Sequence, residues 1–164
     1  VSGSGAMAMG AVALVAMTVS AGVADAGMRL VVWIGAAFVA GGMGALACWR
    51  KARRNDLPFF ADPGRRFLLC LIPSLLVGLV LTIALLPTPQ MSLLPGLWMM
   101  LYGAGVLAAG TYAAAPVMHM GGAFVLAGLF THALPPSWAN VLLGLSFGGL
   151  HLYFGYQVYR HHGG

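Results

Sequence analysis

Phe67-Leu-Leu-Cys70-Leu-Ile-Pro73-Ser-Leu-Leu-Val-Gly78-Leu-Val-Leu-Thr82-Ile-Ala-Leu-Leu86 runs for 20 residues without a charged side chain. A helix of that length is about 30 Å long, the thickness of a bilayer's hydrocarbon core. Directly before it stands the opposite composition, Arg50-Lys51-Ala-Arg53-Arg54-Asn-Asp56-Leu-Pro58-Phe-Phe-Ala-Asp62-Pro-Gly-Arg65-Arg66, with six basic residues, two acids and a net charge of +4. An apolar span abutting a polycationic loop is the pattern of a polytopic membrane protein, in which Lys and Arg collect on the cytoplasmic side.

The rest of the chain agrees. Of its 164 residues, 60% are hydrophobic and 7% charged. A soluble domain carries about 25% charged residues, so this chain cannot coat a water-facing surface. That excludes a soluble enzyme, a secreted disulfide scaffold and a disordered tail. There are three Asp and no Glu. Paired-carboxylate hydrolysis and carboxylate-rich metal sites need more acids, and no apolar run has an acid at its centre, as ion-coupled carriers usually do. The net charge of +5 does not point to nucleic acid, because six of the eight basic residues fall in one loop between apolar runs. Cys48 and Cys70 flank that loop. In the reducing cytoplasm they are expected to be free thiols, packed like small apolar residues.

Working outward, the apolar runs are 6–24, 30–49, 67–86, 97–113, 116–131 and 137–159. The first ends in small residues, as a signal peptide does. It lacks the basic start, however, and exceeds the usual apolar core of ~7–15 residues, so it reads as a span. Val1 is not an initiator Met, and the natural chain is expected to begin before it. Residues 25–29 are a tight turn, and Trp49 marks the inner end of the second span. Pro58 and Pro63-Gly64 are expected to break any helix through the loop. Residues 97–131 carry no charge; one helix of that length would be about 52 Å long, so the segment must fold back, and Pro116 is the natural turn. Trp98, Trp138, Tyr156 and Tyr159 are expected at membrane interfaces. Six spans put Arg160 on the same side as 50–66, where five would not. No long internal repeat is evident. The expected fold is all-α: a polytopic membrane helix bundle of about six transmembrane helices, forming one transmembrane domain with a basic cytoplasmic loop at 50–66.

Few residues offer chemistry. Gly144, Gly148, His151 and Gly155 follow offsets of four, three and four, so an α-helix puts them on one face. A glycine stripe lets another helix approach closely. His151 lies about 20 Å along the axis from Trp138, inside the bilayer, where an unpaired imidazole costs about 1–3 kcal/mol. Its expected partner is a carbonyl, Ser or Tyr on a neighbouring helix. The alternative is the metal of a flat macrocycle, a haem or a chlorophyll, for which His is an axial ligand and the glycines leave room. His119 and His132 stand about 20 Å apart on the fifth span and cannot share an ion. His119 could lie at the depth of His151 as a second cofactor-binding residue, but His119 and His132 read first as interfacial residues at helix ends. No metal site is expected. His161 and His162, with Arg160, suit a helix C-terminus near anionic headgroups.

Gly144-Leu-Ser146-Phe147-Gly148 also spells G-x-S-x-G, but that motif needs a strand, a sharp turn and a helix. In an α-helix His151 is about 140° around the axis from Ser146. Six-span intramembrane serine proteases place Gly directly after the Ser, where Phe147 stands. No catalytic residue is assigned, and the chain reads as a non-enzyme. Ala37 with Gly41, Ala40 with Gly44, and Gly105 with Ala109 are further four-residue pairs for helix packing. The methionines, ten in all, read as gap-fillers. Arg50, Lys51, Arg53, Arg54, Arg65 and Arg66 form a surface for anionic lipid or an acidic partner, each contributing about 1 kcal/mol of attraction near a membrane. Phe59 and Phe60 are placed to dip into the headgroups.

Trp49-Arg-Lys-Ala-Arg53, Asp62-Pro-Gly-Arg-Arg-Phe67, Leu94-Pro-Gly-Leu-Trp98, Leu101-Tyr-Gly-Ala-Gly105 and Phe147-Gly-Gly-Leu-His151, followed by the end from Arg160 to Gly164, form an ordered series. From Trp49 onward, about two-thirds of the chain, the sequence resembles a group of small bacterial polytopic membrane proteins without an assigned activity. The resemblance implies membrane topology and a polar N-terminal extension. His151 fits that group's pattern and His119 does not. The expected function is a non-catalytic accessory subunit in the bacterial cytoplasmic membrane, its C-terminus in the cytoplasm. It would pack against a larger membrane complex of electron transfer or photosynthesis, with membrane lipids as its other partner. The alternatives are a haem- or chlorophyll-binding subunit using His151, and a small neutral-solute transporter or channel with Ser74, Thr82, Tyr102, Thr111, Ser146 and Gln157 as its polar path.

Overall fold

A computed structural model describes the chain except Val1, Asn55, residues 57–61 and the last two glycines. Phe59 and Phe60 therefore lie outside the described residues. The described chain is helical: α1 (Gly3–Ala21), α2 (Ala26–Arg54), α3 (Asp62–Leu85), α4 (Leu94–Gly110), α5 (Ala115–Ala133), α6 (Ala139–Leu143) and α7 (His151–His162). Short 3-10 turns precede α4 and α6, and a π-helical segment, Gly144–Leu150, leads into α7, the two forming the last rod. The fold is all-α. Gly3–Ala21, Ala26–Arg54, Gly64–Leu85 and Pro89–Gly110 are long and apolar enough to cross a membrane, and the chain is a helical membrane protein.

Helix ends differ from expectation where basic residues meet the loop. α2 runs on to Arg54, because Arg and Lys are good helix formers and suit the negative end of the helix dipole. α3 begins at Asp62, so Pro63 falls in a first turn, where its missing N–H removes no hydrogen bond. The basic loop is thus shorter than 50–66. The turn before α2 is also tighter: the Asp25 side chain accepts the Met28 amide at 2.7 Å, and Arg29 donates to the carbonyls of Val23 and Ala24. The fold-back occurs as anticipated. α4 ends at Gly110, and α5 opens with Pro116 in its first turn.

The helices form two compact units, the first from the chain up to Phe59 together with Leu143 onward, the second from Phe60 to Leu142. In the first, α1 is central and antiparallel to both neighbours. Its Gly5 meets Ala47 of α2, and its Gly3 meets Gly155 and Tyr159 of α7. In the second, α4 is central. Gly78 of α3 takes the Trp98 ring, whose indole N–H donates to Thr82 Oγ1 at 2.9 Å. Trp98 thus packs on α3. Cys48 and Cys70 are free and half-buried.

Candidate functional site

Each unit is held by a seam of glycines seven residues apart, which return to one face every two turns. In the second unit Gly96, Gly103 and Gly110 of α4 face α5, whose Gly121 and Gly128 face back. A methyl group on Gly103 would stand 2.7 Å from the Gly121 carbonyl oxygen. Backbone therefore touches backbone, the arrangement by which helices associate when lipid removes the hydrophobic drive. In the first unit Gly3 and Gly10 of α1 meet Gly155 and Gly148 of the last rod. The seven-residue recurrence was open to inspection in the sequence, yet pairs four apart conceal it.

The face of Gly144, Gly148, His151 and Gly155 is buried as the spacing predicts, and α1 covers it. Ser146 is buried with them, against expectation. A π-helical segment, Gly144–Leu150, whose i→i+5 hydrogen bonds take in more residues per turn than an α-helix, runs through this position, so the α-helical wheel does not apply to it.

His151 is 2% exposed. Its Nδ1–H donates to the Phe147 carbonyl at 2.9 Å, and the Phe147 ring lies parallel to the imidazole, 13° off, at 6.2 Å. That carbonyl belongs to its own helix. The neutral ring then carries its lone pair on Nε2. The notches beside it are filled: Met17 occupies the space at Gly144, and Leu14 that at Gly148. A flat macrocycle does not fit between those glycines and α1. Among the described residues no three His, Cys, Asp or Glu side chains gather as metal ligands.

The other sequence-predicted residues separate. His119 is exposed on α5 in the second unit. Gly44 packs on Met9 of α1, whereas Gly41 meets nothing within 4 Å. Arg50, Lys51, Arg53 and Arg54 end α2 in the first unit, while Arg65 and Arg66 open α3 in the second. Arg53 stacks on the Trp49 ring at 5.1 Å and Arg66 on the Tyr112 ring at 5.7 Å. Among the hydroxyls proposed as a solute path, Thr82 and Thr111 bond carbonyls of their own helices.

α2 carries a seam that nothing in the first unit fills. Gly35 and Gly42 share the seven-residue spacing, and with Gly41 they have open space where a Cβ would stand. No residue of α2 is buried.

No protein-family model, no curated protein and no solved structure matches the chain.

Proposed function

We propose that the chain is a non-catalytic subunit of the bacterial cytoplasmic membrane that docks through α2 onto a larger membrane complex. The observation that carries this reading is the open seam of Gly35 and Gly42. Glycine in a helix interior is about 1 kcal/mol worse than alanine, and in the two filled seams close backbone approach offsets that cost. On α2 the cost stands without the contact, which is what a helix awaiting a partner presents. The orientation follows from charge: α1 begins, and α2 and α7 end, at one end of the first unit, bringing 50–54 and Arg160 together. Cytoplasmic placement of that end satisfies the positive-inside rule.

Mild detergent extraction from the native membrane, followed by native mass spectrometry of the full chain, tests the docking. A heteromeric assembly is expected, and its absorption spectrum reads whether the partner is a pigment-bearing electron-transfer complex. Replacing Gly35 and Gly42 together by Leu should leave the melting temperature unchanged and release the partner. A lone monomer, or an assembly of identical chains, refutes the reading.

A further inference from the structure

At its basic end the first unit has a cleft of about 300 Å3 between the start of α1 and the end of α2. Its wall changes character along α2. Met43 and Leu46 form the apolar part, joined by Ala8 of α1, and Arg50, Lys51 and Arg54 form the rim, opposite the hydroxyls of Ser2 and Ser4. Among the described residues no carboxylate lines it. Arg50 and Arg54 are four apart, so like charges share one helix face, an arrangement that is destabilising unless an anion sits between them. Arg53, one position from Arg54, stacks on Trp49 and is not part of the lining. Ser2 and Ser4 are linked at 3.0 Å, and the Gly5 amide donates to Ser2 Oγ, so the hydroxyl side of the rim is ordered.

We propose that this cleft binds one anionic phospholipid, its phosphate held between Arg50, Arg54 and Ser4 and the start of its acyl chain against Met43 and Leu46. A free phosphate would use only the rim. The apolar part continuing toward the middle of α2 fits an amphiphile, whose charge and chain are separated in the same order. Guanidinium groups and hydroxyls suit phosphate oxygens by charge-assisted hydrogen bonding. The site is independent of the α2 seam, because it is read on the single chain and not on an assembly.

Native mass spectrometry of the full chain, released from micelles containing equal phosphatidylglycerol and phosphatidylcholine, tests it. One phosphatidylglycerol per chain should be retained in preference. Arg50→Gln should lower that retention about fivefold, the effect of one near-surface cation. Arg53→Gln, the same change in charge outside the cleft, should lower it less than about twofold, and Ser4→Ala should lower it measurably with the charge intact. Equal retention of the two lipids by the wild-type chain overturns the proposal. So do equal losses for Arg50→Gln and Arg53→Gln, which would mark diffuse surface attraction. Displacement of the lipid by millimolar inorganic phosphate would identify a phosphate site in place of a lipid site, and overturns it too.

Discussion

The two glycine seams share a plan and differ at one position. In α5, Phe124 stands three residues after Gly121; in the last rod, His151 stands three residues after Gly148. Both are sealed from solvent, at 0% and 2% exposure. Phe124 packs edge-on against Tyr102, with ring centroids 4.9 Å apart, in an uninterrupted α-helix. His151 follows a π-helical turn and holds its own helix's carbonyl. The same backbone contact therefore supports an apolar plug in one unit and a buried imidazole in the other. Close glycine packing sets how near the helices come, and it leaves free what the neighbouring position carries.

The largest effect should come from filling a seam whose neighbours are all backbone. Gly121→Val would drive its side chain into Leu107 and the Gly103 carbonyl, and a loss of more than about 3 kcal/mol is expected, at the upper end for overpacking. Reversible unfolding of the full chain in mixed micelles measures it. A smaller loss than that of Gly144→Val would break the distinction between backbone and side-chain neighbours.

Exchanging the two plugs sharpens the comparison. Phe124→His removes a large ring and buries an imidazole among apolar groups, at about 3 kcal/mol. His151→Phe gives up the hydrogen bond to the Phe147 carbonyl, which is worth about 1 kcal/mol. The same unfolding assay should therefore show an asymmetric pair. Equal costs would mean that His151 holds the first unit together by more than its bond to Phe147.

The smallest change is expected for Gly144→Ala, below about 1 kcal/mol. Most of the obstruction, the Met17 sulfur and Cγ, is flexible side chain that can turn aside, and only Met17 Cβ, 2.8 Å away, moves with the backbone. A loss as large as that of Gly121→Val would show Met17 to be locked by its surroundings.

Much of this was legible beforehand. Helical class, the fold-back at Pro116 and the shared face of Gly144, Gly148, His151 and Gly155 follow from length, proline position and 3.6-residue periodicity. The extension of α2 to Arg54 runs against the loop signal of the nearby prolines and charges, because arginine and lysine favour helices. The burial of Ser146 was not legible, since an α-helical wheel places it off the glycine face and the π-helical turn at Gly144–Leu150 leaves no mark in the spacing. The seams are concealed in the sequence, because small-residue pairs four apart are as frequent as the spacing of seven that carries the contacts.

Composition and run length by themselves determined that this chain crosses lipid as helices, because a bilayer demands that backbone groups be satisfied within a helix or a closed barrel, and continuous apolar runs near 20 residues fit the helix. Which glycines are closed by a neighbour, and that Gly35 and Gly42 of α2 are not, was decided by the tertiary structure alone. Between helices already in lipid there is little burial energy to choose partners. Pairing then depends on surface fit along the whole chain path, which no single helix encodes.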